Sequence, residues 1–247
     1  MTKNSYIMGV AILLIMVACN EVSEPNTLSR KEKRQGFELL FNGVNTEGWR
    51  GYQKDHLPAM WIIDQGMLHC QDSGMRNAGP AEGGDIIYDK MFANFHLKLE
   101  WKIAEAGNSG ILYLGSEDTT YKAIYMTAPE MQVLDNAKHP DAKLGTNGNR
   151  MAGSLYDLIP AKPQNFKGAG EWNQAELIVK DKHVKHIQNG EVVVEYVYGT
   201  QMWEALVARS KFPGLNPDWV NLQEEGYIGL QDHNDKVWFR NIKIKEL

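Results

Sequence analysis

From Gly36 onward, hydrophobic side chains recur at every second position over short stretches, the period of a half-buried β-strand. The clearest run is Phe95–Ile103. Phe95, Leu97, Leu99, Trp101 and Ile103 share one face, and His96, Lys98, Glu100 and Lys102 share the other. Val237 and Phe239 are followed by Ile242 and Ile244, and this one-residue slip predicts a bulge near Arg240-Asn241. Three further strands are predicted at Glu176–Lys180, His183–Ile187 and Glu191–Tyr196, the last two joined by the hairpin turn Asn189-Gly190. Trp61–Ile63 and Met67–His69 flank a turn at Asp64-Gln65-Gly66.

Helical periodicity is confined to Gln201–Ser210, where Met202, Trp203, Leu206 and Val207 form one short apolar stripe. Turn residues recur about every ten positions. Many short strands at that spacing predict an all-β sandwich or barrel with one short helix. Residues 115–170 break the pattern; they are rich in Pro, Gly and Asn, the texture of long loops carried on a rigid sheet.

The N-terminus follows different rules. Lys3 precedes an uncharged apolar run, Ile7 to Val17, too short to span a bilayer comfortably, and Met16-Val17-Ala18-Cys19 closes it. A small residue directly before Cys resembles a bacterial lipobox, with Met16 where Leu is usual. The expectation is a cleaved export signal over residues 1–18, lipidation at Cys19, a polar tether over 19–35 and one domain over 36–247. That places the protein in the cell envelope, held on a membrane by its lipid. Cys19 and Cys70 are the only cysteines, so neither a disulfide framework nor a cysteine-based zinc site is expected.

The formal charge is −5, becoming −6 once Lys3 leaves with the leader. With no concentrated basic face, nucleic acid is excluded as a partner. Seven Trp and ten Tyr are many for this length; most are expected in the core, and one or two are candidates for stacking on a ligand ring.

Candidate chemistry centres on Glu130-Met-Gln-Val-Leu-Asp135. On a strand, Glu130 and Gln132 share a face opposite Met131 and Val133, and Asp135 falls at the strand end. An acid beside an amide over an apolar wall suits the recognition of sugar hydroxyls. Gln231 and His233 likewise share parity, and Tyr156 and Asp157 lie in the loop-rich stretch. His183 and His186 fall on opposite faces and do not pair. No HExxH, GxSxG, phosphate-binding loop or dinucleotide fingerprint occurs. A conventional glycosidase needs two carboxylates across the scissile bond, whereas the alternate position after Glu130 is an amide.

Phe41-Asn-Gly-Val-Asn-Thr-Glu-Gly-Trp49, Asn108-Ser-Gly-Ile111, Glu130–Asp135, Gly170-Glu-Trp-Asn173, Asn189-Gly190, Gly229-Leu-Gln-Asp-His233 and Phe239-Arg-Asn-Ile242 occur in this order. As a set, covering residues 36–247, they resemble the 3-keto-disaccharide hydrolase family, long catalogued as a domain of unknown function. The resemblance implies a concanavalin/galectin-like jelly roll of two antiparallel sheets. It also implies a carbohydrate substrate whose C3 hydroxyl has been oxidised to a ketone. Chemistry would begin with loss of the C2 proton, proceed by elimination at C1 and end with addition of water. Such a site needs a base, an enolate stabiliser and a donor for the leaving group.

On this resemblance Glu130, His233, Tyr156 and Asp135 are the catalytic candidates. Gln132, Gln231, Asp157, Lys211, Arg240 and Asn108 are the substrate-binding ones, and Glu130 with His233 could hold a divalent metal ion. Family members often carry an Arg shortly after Asn-Ser-Gly; here Leu112-Tyr113-Leu114 stands there, and Lys211 could supply the charge or form a lid with Phe212. Two other readings are a non-catalytic surface glycan-binding module and a conventional glycosidase.

Overall fold

The computed structural model describes residues 24–71 and 82–247. The expected leader and Cys19 lie outside the described residues.

Thirteen strands form among the described residues, in chain order. They are β1 (Glu38–Leu39), β2 (Trp49–Gly51), β3 (Trp61–Asp64), β4 (Met67–Cys70), β5 (Ile86–Phe92), β6 (Phe95–Ile103), β7 (Asn108–Gly115), β8 (Glu130–Leu134), β9 (Asn173–Lys180), β10 (His183–Gln188), β11 (Glu191–Val197), β12 (Gly226–Leu230) and β13 (Val237–Glu246). One sheet of eight runs β11-β10-β9-β6-β13-β4-β3, with β1 paired to β13; the other, of five, runs β2-β5-β12-β7-β8. Every pairing is antiparallel. This is the two-sheet jelly-roll sandwich that the alternation and the resemblance predict.

Alternation decides which side chains enter the core. Phe95, Leu97, Leu99, Trp101 and Ile103 are all buried, as are Val237, Phe239, Ile242 and Ile244. They meet Ile111, Tyr113, Met131, Val133 and Leu230 of the smaller sheet in one continuous cluster. The bulge falls where the slip places it: the β13–β6 register shifts between Arg240 and Lys243, and Asn241 has φ of 55°. At the β10–β11 turn both Asn189 and Gly190 have positive φ, 50° and 84°, as a type I′ hairpin requires.

His186 enters this core and bonds Tyr113 Oη at 2.7 Å, while His183 pairs with Glu195 on the outside. Burial drives the His186 pKa down to about 4, so its imidazole stays neutral in the core.

Among the described residues two α-helices form, where the pattern of apolar residues predicts one: α1 (Arg30–Arg34) and α2 (Gln201–Val207). α1 lies within the stretch expected to be a tether. Its signal is Ser29 and Glu32, three apart, which make a capping box. Lys243 pairs with Glu32 at 2.7 Å, and buried Asn26 bonds Gly66 O and the Asn241 backbone. Residues 26–35 therefore dock against the larger sheet, and a free tether can extend only ahead of them.

Candidate active site

β8 is the edge strand of the smaller sheet, and its outward face carries Glu130 and Gln132 while Met131 and Val133 fill the core. The segment after it folds back along that edge. Gln132 N donates to Ser154 O, Gly153 N to Gln132 O and Tyr156 N to Glu130 O. The edge is thereby paired, and Tyr156 is set beside Glu130.

The Asn108-Ser109-Gly110 motif on β7 supplies the floor. Ser109 Oγ donates to Gln231 O at 2.8 Å, tying β7 to the end of β12. Gly110 lies opposite Gln132, and a Cβ built on it would stand 2.0 Å from Glu130 Oε1. The glutamate side chain thus lies across the one residue on β7 that leaves it room. In the orientation that satisfies its amide, Gln132 Nε2 donates to Glu130 Oε1 and to Ser109 O, both at 2.9 Å.

Above this floor lies a cavity of about 250 Å³ lined by Asn108, Tyr125, Glu130, Gln132, Tyr156, Lys211, Phe212, Gln231 and His233. Seven of the residues singled out from the sequence on the resemblance line it: Glu130, His233, Tyr156, Gln132, Gln231, Asn108 and Lys211. Three other candidates stand elsewhere. Asp135 spends its carboxylate on Ala106 N (2.8 Å) and Ala137 N (3.0 Å), capping the loops at the strand end. Arg240 lies on the larger sheet, bonded to Glu100 at 2.8 Å with its guanidinium 3.9 Å from the Trp172 ring centroid. Asp157 lies behind the cavity wall, where it accepts from Arg150 Nε (2.7 Å) and from Lys211 N (3.0 Å). It thus supports Lys211 from behind.

Lys211 reaches the cavity because its neighbourhood is rigid. Phe212 stacks on Trp219 at 3.9 Å, Trp219 on Trp203 of α2 at 5.6 Å, and Trp203 on Tyr196 of β11 at 5.4 Å. The Lys211 ammonium then lies 4.3 Å from the Tyr156 ring centroid and donates to Tyr156 Oη at 3.3 Å, although much of its stem is exposed. Tyr156 donates in turn to Asp141 Oδ2 at 2.7 Å, and Asp141 is paired with Arg150 at 2.9 Å. Asp141, Arg150 and Tyr125 were not among the candidates, whereas Phe212 was named beside Lys211. They sit in loops without a period, and only tertiary folding brings them together.

The electrostatics follow from burial and neighbours. Burial pushes the Glu130 carboxyl up to about 8, and the Lys211 ammonium opposes that rise. Burial likewise lowers the Lys211 pKa, with Glu130 opposing. Burial raises the Tyr156 phenol, and Asp141 adds to the rise. Asp141 feels the same burial, but the Tyr156 hydroxyl and Arg150 outweigh it and hold its pKa below the ordinary range. His233, half exposed at the cavity mouth, is raised by Asp235, whose Oδ2 lies 3.6 Å from Nδ1. Asp235 is fixed by accepting from Asn108 N at 3.1 Å.

His139, His233 and Asp235 bring their ligand atoms within 4.8 Å of one another. Two imidazoles and a carboxylate are a donor set that fits a divalent transition-metal ion. Among the described residues His233 is thus grouped with His139 and Asp235, while Glu130 stands apart from that cluster.

Comparison with known proteins agrees with this geometry. A crystal structure from Parabacteroides distasonis, provisionally described as a glycosyl hydrolase, superposes with a TM-score of 0.79 at 29% identity, covering 91% of this chain and 100% of that one. A second structure from the same organism, described in the same way, gives a TM-score of 0.63 at 25% identity over 85% of this chain and 99% of that one. The 3-keto-disaccharide hydrolase of Bacteroides thetaiotaomicron is 44% identical over 243 residues, 92% of this chain and 84% of the relative. Residues 36–245 match the 3-keto-alpha-glucoside-1,2-lyase-like domain, and with that span and that identity the chain belongs to this family.

Proposed function

We propose that the protein cleaves the glycosidic bond of 3-keto-glucosides by elimination across C1 and C2, followed by hydration. The observation that carries this reading is one buried carboxylate, Glu130, facing the Lys211 ammonium across a polar cavity that no second carboxylate lines among the described residues. Paired acids spanning a scissile bond would support oxocarbenium chemistry; a lone strong base opposite a cation supports enolate chemistry.

Glu130 takes the C2 proton, and the electron pair of that bond moves onto the C3 carbonyl oxygen. Lys211 stabilises the enolate so formed, and Tyr156, which donates to Asp141 and accepts from Lys211, holds that ammonium in place. The enolate returns its electrons, C1–O breaks, and the departing oxygen takes a proton from His233, whose pKa Asp235 raises. Water then adds across the new C1–C2 double bond, with hydroxyl going to C1 and hydrogen to C2. With a divalent ion held by His139, His233 and Asp235, His233 would have no proton to give, and the ion would supply Lewis acidity in its place. Equilibrium dialysis with zinc or manganese tests that donor set; equal uptake by wild type and His139→Ala would dismiss it.

The deciding assay incubates the protein with a 3-keto-glucoside and with its unoxidised parent. Aglycone release from the keto compound alone is expected. Turnover of the parent would point to a conventional glycosidase, and binding without turnover to a glycan-binding module.

Gly110→Ala tests the floor of the site. Its new methyl group would force the Glu130 carboxylate aside, so a rate loss of at least about a hundredfold is expected from the displaced base. A near-normal rate with an unchanged fold by circular dichroism would remove Glu130 from the mechanism.

We also infer that Cys19 carries lipid and holds the protein in the cell envelope, supported by the apolar run ending in Val17-Ala18-Cys19. Cys19→Ala is expected to move the protein from the membrane fraction to the soluble fraction. Retention in the membrane fraction would refute the anchor.

A further inference from the structure

A second cavity, of about 310 Å³, adjoins the Glu130 cavity and shares Tyr125, Gln231 and His233 with it. We infer that this second cavity binds the other sugar of the substrate, the ring attached through the C1 oxygen of the keto-glucose, and that it selects a neutral hexose. The inference rests on the cleavage reading above.

The two spaces are consecutive along one groove, and each lies near the lower end of small-ligand pocket sizes, room for one ring apiece. The shared wall sets the position of the bond between them. The cleavage reading sets the keto ring over Glu130 with C1 toward His233, and whatever is joined to C1 then emerges on the far side of that imidazole. The base and the proton donor then sit on either side of the atoms they serve.

The walls beyond the partition decide the chemistry of the occupant. Tyr52 and Tyr125 offer ring surface, and Asp85 and Lys122 offer polar contacts. Asp85 is 8% exposed and accepts from Asp232 N at 3.1 Å. Burial raises its pKa to about 7, so near neutrality it can either donate to or accept from a sugar hydroxyl. Lys54 is already engaged by Glu82, and Asp232 by Gly84 N at 2.8 Å. Lys122 is exposed at the rim. A phosphate or uronate would meet the Asp85 and Asp232 carboxyls with one uncommitted lysine to offset them. An uncharged polyol meets a balanced set of donors and acceptors.

Ala123 lines the second cavity and not the first, and its backbone is extended (φ −149°, ψ 143°), which any side chain accepts. The test compares wild type, Ala123→Phe and Lys122→Ala on two substrates: a glucose disaccharide oxidised at C3 of its non-reducing ring, and methyl 3-keto-glucoside. Filling the cavity with Ala123→Phe is expected to lower kcat/KM for the disaccharide at least tenfold more than for the methyl glycoside. Lys122→Ala is expected to raise KM for the disaccharide by a factor of about three or more, with a smaller change for the methyl compound. Equal losses on both substrates for both variants, or no loss on the disaccharide for either, would overturn the assignment. Inertness of wild type toward both keto substrates would instead remove the cleavage reading, and this inference with it.

Discussion

Glu130→Gln is expected to lower turnover of a 3-keto-glucoside by three orders of magnitude or more and, at the same time, to stabilise the protein above pH 7. Both effects have one origin. Glu130 is 4% exposed, and burial pushes its carboxyl up to about 8. A carboxylate of that basicity takes a proton from carbon far more readily than an exposed one, and among the described residues no other carboxylate lines the cavity to replace it. The same burial costs stability. In the unfolded chain the proton leaves near the ordinary value of 4.5, whereas in the folded protein it is held until about 8. Between those limits the unfolded state binds fewer protons, so the stability of wild type falls as pH rises; above about 8 the penalty is constant. Glutamine keeps the shape and avoids the charge. Its advantage should be close to zero at pH 4.5 and grow to roughly 3 kcal/mol at pH 7. Paired denaturation curves at pH 4.5 and pH 8, with single-turnover rates on the keto substrate, read both effects. A rate within tenfold of wild type would reject Glu130 as the base. A stability difference that is the same at both pH values would reject its raised pKa.

What could be read without coordinates divides along the physics of periodicity. A strand's side chains alternate strictly, so the pairing of Glu130 with Gln132 follows from parity alone; Gln231 and His233 line the cavity too, but from the loop beyond β12, where that parity no longer applies. The bulge in β13 was legible because a bulge is a slip in that same alternation. Parity does not say which sheet a strand joins. Arg240, on a run as regular as any other, therefore stood among the candidates until its strand was placed between β6 and β4, in the sheet away from the site. Nor does proximity in sequence say what an acid does at the end of a strand. Asp135 follows Glu130 by five residues, yet its oxygens are claimed by backbone amides of the turning chain, the commoner fate of a carboxylate at such a place. The other half of the site comes from segments with no period. Tyr125, Asp141 and Arg150 lie in the loops over and beside β8. They are held there by long-range contacts, such as Trp219 Nε1 donating to Tyr125 O, which leave no local signature. Helix α1 is a different case: Ser29 and Glu32 spell a capping box in the sequence, and the charge of the surrounding stretch masked it.

Lys211→Met should produce a loss comparable to that of an oxyanion-hole donor, a hundredfold to a thousandfold in kcat, and should move the pH dependence of what remains. Methionine keeps the length and apolar stem of lysine, so packing along Tyr156 and beside Phe212 is largely retained while the charge is removed. Two consequences follow. The negative charge developing on the C3 oxygen loses its facing cation, which slows the step that forms the enolate. Glu130 loses the neighbour that most opposes the effect of burial, so its pKa climbs further above about 8 and less of it is ionised near neutrality. The rise of kcat/KM with pH, centred near 8 in wild type, should therefore shift to higher pH in the variant. A lysine that merely braced the loop would lower the rate without moving the profile, because a loosened wall changes geometry and not the field at Glu130. Lys211→Arg separates the two readings further. It restores the cation with a different shape, so the profile should return toward that of wild type even where the rate does not. A Lys211→Met profile that overlays wild type, or a rate within a few fold of it, would mean that the charge across the cavity from Glu130 is not the one that carries the enolate.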